Sequence, residues 1–214
     1  MNLFVDQLWR YPVKSLAGEP LEHAVITEDG IAGDRIVHVR GPEGVRTSRR
    51  QHRMLGLHGI LGTDGVPLID GHPWTDDRAL ALVRAAAGDD AWLASDGYGM
   101  FDILPLLVAT DGAIAAFGRD GRRLRPNIVI GGVEGLDERT WPGAELHIGS
   151  VVIALDSLRP RCPMTTIDPD TLERDSEVLR DIGRRFGGLL ALNAYVVRAG
   201  TIRVGDPVRL IRPR

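Results

Sequence analysis

"LRPRCPMTTIDPDT", residues 158–171, contains the only cysteine in a chain of 214 residues. Pro160 and Pro163 fix φ and remove backbone donors, so Cys162 belongs to a stiff loop rather than to a helix or strand interior. The stretch before it, "AELHIGSVVIALDSL" (144–158), reads as a hairpin bent at Gly149. Arg159 and Arg161 flank the sulfur, and nearby cations favour a thiolate. A thiolate on a rigid loop after a strand suits a nucleophile or a ligand to a soft metal. The alternative is a small buried hydrophobe.

The strand-and-turn pattern extends outward from this loop. "LFVDQLWRYPV" (3–13), "LEHAVIT" (21–27) and "GDRIVHVRG" (33–41) are rich in β-branched residues and separated by Gly-containing turns, which predicts three strands. "RALALVRAAAG" (78–88) predicts a helix closed by Gly88. "ILPLLVAT" (103–110) and "RPNIVIGG" (125–132) predict buried strands, with a short helix at "DGAIAAFGRDG" between them. Beyond Cys162, "DPDTLERDSEVLRDIGRRFGG" (168–188) predicts a helix entered through Asp and Thr caps. The tail 191–211 predicts two strands around an Ala-Gly turn. The sum is an α+β protein, predominantly β, with two β-rich lobes meeting near residues 90–100.

Composition narrows the function. The chain is 43% apolar and 26% charged, the balance of an ordinary globular protein. No run of 18 apolar residues predicts a membrane span, and the N-terminus shows no export signal. A net charge of -3 argues against general nucleic-acid binding. One cysteine excludes an internal disulfide, a CxxC or Cys2His2 zinc site and a four-cysteine iron–sulfur cluster, and it points to a reducing, cytoplasmic setting. The six histidines fall in no catalytic signature.

Of the 26 basic residues, only Lys14, in "YPVKS", is a lysine. Its compact ammonium does what a planar guanidinium does not, and phosphate binding is the candidate task. Lys14 and Ser15 precede a Gly turn; Arg35 follows one in "GIAGDR". "RTSRRQ" offers Thr47 and Arg49, and "RLRPN" offers Arg125 and Asn127 around a proline. Four such clusters at strand–turn junctions predict a lining for a phosphorylated polar ligand. GxxxxGK[ST] is absent, and no GxGxxG follows a strand, which argues against an ordinary nucleotide fold.

In this order, "YPVKS", "GIAGDR", "TSRR", "RPNIVI", "RCPMTTIDPDT" and "GTIRVGDPVRL" resemble the MOSC-domain proteins, relatives of the C-terminal domain of molybdenum cofactor sulfurases. The likeness is greatest to the group with a MOSC N-terminal β-barrel, which includes amidoxime-reducing components and hydroxylaminopurine-resistance proteins. The resemblance implies an N-terminal β-barrel-like domain over residues 1–95 and a MOSC domain over 96–214. Between the lobes it implies a molybdenum–molybdopterin cofactor, with Cys162 as thiolate ligand to the metal. Lys14, Ser15, Arg35, Arg125 and Asn127 would hold phosphate and pterin, with Thr47, Arg49 and Arg161 beside them. The implied activity is reduction of N-hydroxylated compounds with electrons from an external flavin reductase and a small iron–sulfur or haem protein. Asp168 is either a proton donor near the metal or the helix entry; Thr165 and Thr166 either line the metal site or form the turn. A rival reading makes Cys162 the carrier of a persulfide or of the cofactor, without turnover. Ala113 and Ile114 stand where such proteins often carry a Ser-Leu pair.

Overall fold

The computed structural model describes residues 2–97 and 99–212. Runs of Val, Ile and Leu with strand periodicity form seven strands that close on themselves. They are β1 (Leu3–Arg10), β2 (Leu106–Thr110), β3 (Ile128–Gly131), β4 (Glu145–Ile148), β5 (Val151–Pro160), β6 (Leu189–Arg198) and β7 (Pro207–Ile211). Their order is β3-β2-β6-β5-β4-β7-β1, and β1 pairs again with β3, Phe4 opposite Gly131 and Leu8 opposite Ile128. All these pairs are antiparallel except β2–β3, whose parallel register requires a crossover. Inside lies one apolar core that includes Val5, Leu8, Val108, Ile130, Leu146, Ile153 and Leu192. Closure pairs the barrel strands on both sides and so protects their backbone groups.

Three helices pack around this frame. α1 (Asp77–Ala87) covers a second core built from Val13, Leu16, Val37, Val39, Met54 and Ile69, beside a three-stranded sheet of His38–Gly41, Gly44–Arg46 and Trp92–Ala94. α2 (Asp111–Phe117) forms part of the β2–β3 crossover. With α3 (Ser176–Phe186) it encloses Ala113, Phe117, Leu124, Val178, Ile182 and Phe186. The protein is thus mostly β with two β-rich lobes, and the chain's first strands belong to the barrel side: β1 closes the barrel, and His23–Thr27 pairs with Gly200–Arg203.

Several expected elements shift for local reasons. The run 21–27 is split into Glu19–Leu21 and His23–Thr27. Only His38–Gly41 of 33–41 is a strand, because Arg35 takes a left-handed turn at φ 54°. Helix α3 begins at Ser176, not in "DPDT", and its cap is Asp175, whose carboxylate accepts from Glu177 N. Asp168 instead accepts from the backbone N–H groups of Asp170 and Thr171, folding the chain into a separate turn. Asp168 is therefore not the entry to this helix. The tail contributes three strands, the Ala-Gly turn separating β6 from Gly200–Arg203.

Two glycines test this packing. A Cβ on Gly112, in the first turn of α2, would lie 2.4 Å from the Val133 carbonyl oxygen and 2.5 Å from that of Gly135. Gly112→Ala is expected to destabilise the fold by about 1–3 kcal/mol, seen as a lower urea midpoint at unchanged m-value. Gly183, inside α3, faces open space, and Gly183→Ala is expected to stabilise by about 0.5–1 kcal/mol.

Candidate functional site

Strand β5 ends at Pro160 and delivers Arg159, Arg161 and Cys162 to the junction of the two lobes. Arg161 N donates to Gly188 O at 2.9 Å, anchoring the loop. Thr165 donates through its hydroxyl to Cys162 O at 2.9 Å, and Thr166 to Pro163 O at 2.6 Å. Both threonines therefore build the turn that presents the partly exposed Cys162.

The opposite wall comes from the segment after β1. Lys14 N donates to Val37 O at 2.8 Å, and Arg35 N to Tyr11 O at 2.8 Å. Buried Asp34 accepts from Tyr11 N at 2.7 Å and from Asn127 Nδ2 at 3.2 Å, and it pairs with Arg35. Burial pushes the Asp34 carboxyl up, against the pull of Arg35 and these donors. Asn127 also donates to Trp9 O, while its Oδ1 accepts from Leu107 N and Arg35 Nη1, so its side chain is occupied in holding the wall together. Arg125, at φ 55°, lays its guanidinium over the Tyr11 ring at 4.2 Å, with Arg35 at 5.0 Å from the same ring. Burial pushes Tyr11 up to about 12 and pulls Arg125 and Arg161 down to about 10, which leaves both arginines charged at neutral pH.

The folded chain brings Lys14, Ser15, Arg35, Thr47, Arg49, Arg125, Asn127, Arg161 and Cys162 to one narrow cavity of about 70 Å³. Arg123 and Arg159 join them, giving seven cationic side chains. Asp168 lies outside this lining; its carboxylate pairs with Arg123 at 2.7 Å. A wall of Arg123, Arg125 and Met164 is shared with a wider cleft of about 510 Å³, lined by Trp9, Tyr11, Leu55, Ile167 and Leu172. Among the described residues no cluster of three His, Cys, Asp or Glu side chains could hold a metal ion.

The sequence reading missed Asp102. Its carboxylate accepts from Lys14 Nζ at 2.6 Å, from Arg49 at 2.9 Å and from Arg159 at 3.3 Å. "GMFDILP" carries no motif, so only the folded chain shows this role. The two partners of the central pair respond differently. Burial lowers Lys14 despite Asp102, whereas Lys14, then Arg49 and Arg159, overcome burial and hold Asp102 at about 2. For Arg49 burial is outweighed by the charges of Asp102 and Cys162, which raise it.

A carboxylate held below its ordinary 3.8 contributes stability that is complete above that value and is lost as pH falls toward 2. Asp102→Asn is therefore expected to be less stable than the parent at neutral pH. The difference in urea midpoint is expected to vanish near pH 2.

Comparison with known proteins supports the same reading of the fold. The model of the MOSC N-terminal beta barrel domain matches residues 2–66, and that of the MOSC domain matches residues 114–209. The chain is 33% identical to mitochondrial amidoxime reducing component 2 of Macaca fascicularis, across 95% of this chain and 82% of that protein. It is 36% identical to the molybdenum cofactor sulfurase of Bombyx mori over 39% of this chain and 10% of that protein. The solved structure of the YUAD protein from Bacillus subtilis covers the whole chain at a TM-score of 0.54 and 13% identity, a likeness of fold alone. With a MOSC N-terminal beta barrel domain leading into a MOSC domain, the chain belongs to the MOSC-domain family.

Proposed function

We propose that this protein is a molybdenum-cofactor oxidoreductase that reduces N-hydroxylated compounds with electrons from a separate donor protein. The observation that carries this reading is the gathering of Cys162 and seven cations around one cavity that holds a single carboxylate, Asp102. That excess of positive charge fits a polyanionic cofactor. A buried Arg161 Nε with no partner among the described residues adds an unfilled donor. The amidoxime-reducing relative supports the substrate class.

Each side chain has a task in this scheme. Lys14 meets phosphate as a point charge, and Arg35, Arg49 and Arg125 offer planar donors to the remaining oxygens and rings. Ser15 and Thr47 add hydroxyls. Asn127 positions Arg35, as its amide is already fully engaged. Arg161 reaches Leu124 O with one nitrogen and keeps Nε for the ligand. Cys162 supplies a thiolate, the soft donor suited to molybdenum. Asp102 holds Lys14, Arg49 and Arg159 in place. Bound there, a molybdenum–molybdopterin group supplies two-electron oxygen-atom transfer, a chemistry that no side chain here provides. Asp168 pairs with Arg123 outside the cavity lining and is assigned no contact with the cofactor.

A single cysteine provides no internal chain of redox centres, so electrons come from a flavin reductase with a small iron–sulfur or haem protein. We place the reaction in the cytoplasm on the same ground; no helix among the described residues is long and apolar enough to cross a membrane. The likeness to a cofactor sulfurase and the partial exposure of Cys162 favour one rival, a persulfide or cofactor carrier.

Protein from a molybdopterin-competent host is expected to contain molybdenum and to consume benzamidoxime with a chemical reductant. Cys162→Ser is expected to lose both the metal, by elemental analysis, and the turnover. Turnover by metal-free protein, or a labile gain of one sulfur in place of molybdopterin in native mass spectrometry, overturns the enzyme reading.

A further inference from the structure

Residues 46–53, "RTSRRQHR", hold four arginines, a histidine and no acid in a chain whose net charge is -3. This segment runs along the junction of the lobes. Thr47 and Arg49 line the cation-lined cavity, and Leu55, Gly56 and His58 line the wider cleft. Between these points Arg50, His52 and Arg53 are exposed, and none is ion-paired among the described residues. By contrast, Arg46 is tied to Asp90 and Glu43, and Arg49 to Asp102.

The arm is firmly rooted. Arg50 N and Gln51 N both donate to Thr47 O, and the 3-10 turn His52–Gly56 drives Met54 and Leu55 into the interior. Its exposed charges are therefore presented from a fixed backbone and need little ordering on contact. Ile103, 52% exposed, directly follows the Asp102 that grips Arg49 of this arm. An apolar contact with a basic border is the make-up of a transient protein interface. Unpaired guanidinium groups also accelerate encounter with a partner of opposite charge. The position matters as much as the charge. Arg49, within the arm, lines the same cavity as Cys162, so a partner seated on the arm sits at the edge of that cavity.

We infer that Arg50, His52 and Arg53, with Ile103, form the docking surface for the electron donor, and that this donor is a small redox protein with an acidic face. The inference rests on the oxidoreductase reading and adds the place and chemistry of the contact. The short patch and the acidic remainder of the chain disfavour nucleic acid, and a single exposed isoleucine offers little to a lipid bilayer.

The test uses the cofactor-loaded protein, benzamidoxime, and two reductants: methyl viologen, and an acidic [2Fe–2S] ferredoxin with its flavin reductase. Arg50→Glu/Arg53→Glu is expected to lower kcat/KM for ferredoxin about tenfold or more and to flatten its salt dependence. The viologen-driven rate is expected to stay at the parent value. Arg78→Glu/Arg209→Glu, an equal charge change on exposed residues elsewhere, is expected to leave both rates unchanged. Ferredoxin that drives no turnover, or whose rate ignores the arm or falls equally in the control pair, overturns the inference. An equal loss with viologen overturns it too, by making the arm part of the cofactor site. So does loss of phosphatidylserine-vesicle binding while ferredoxin-driven turnover persists. Should the parent show no viologen-driven turnover, the oxidoreductase reading fails separately. Calorimetric titration of the same variants with ferredoxin then decides whether the arm binds it.

Discussion

Seven cationic side chains facing one narrow cavity repel one another, and the surrounding architecture answers that repulsion. Two unit charges about 5 Å apart at an effective dielectric of 20 repel by about 3 kcal/mol, so such a ring does not assemble without counter-charge. Asp102 supplies it at the mouth, engaging Lys14, Arg49 and Arg159 together. Asp34 supplies it behind the wall, where it pairs with Arg35. The face of Tyr11 supplies a softer attraction beneath Arg125 and Arg35. Even so the cations lining the cavity outnumber its carboxylates, which leaves it with a surplus of positive charge.

The counter-charges come from different places, which binds the lobes together. Asp102 precedes the first strand of the C-terminal half, yet it clamps Lys14 and Arg49 from the N-terminal segment against Arg159 at the end of β5. Asn127, just before β3, ties Trp9 and Asp34 to Leu107. The geometry around Cys162 thus depends on contacts that span most of the chain.

That distribution explains what could be read from the amino acids alone. Local signals were sufficient for the barrel strands, for the hairpin at Gly149 and for α1 with its terminal Gly88, since each reflects periodicity or turn chemistry within a dozen residues; the short strands of the N-terminal lobe were split or unread. The cationic clusters were visible because each sits at a strand–turn junction, three of the four beside glycine or proline. Asp102 was not, because an aspartate becomes a clamp only through partners 53 to 88 residues away. "DPDT" misled because Asp and Thr before an apolar pattern are good helix caps. Here Asp168 spends its oxygens on Asp170, Thr171 and Arg123, and Asp175 takes the cap. Asn127 stood among the ligand-binding residues, but the fold has already used its amide.

The ring of seven strands has a temporal implication. Residues 3–10 emerge during synthesis long before their barrel neighbours, residues 128–131 on one side and 207–208 on the other. The barrel therefore stays open until residue 208 has left the ribosome; until residues 128–131 emerge, β1 has only the local partner Glu19–Leu21, which covers Leu8–Arg10 alone. A nascent chain stalled short of residue 207 leaves the Leu3–Phe4 end of that strand open on one side, so the demand for chaperone protection falls on β1.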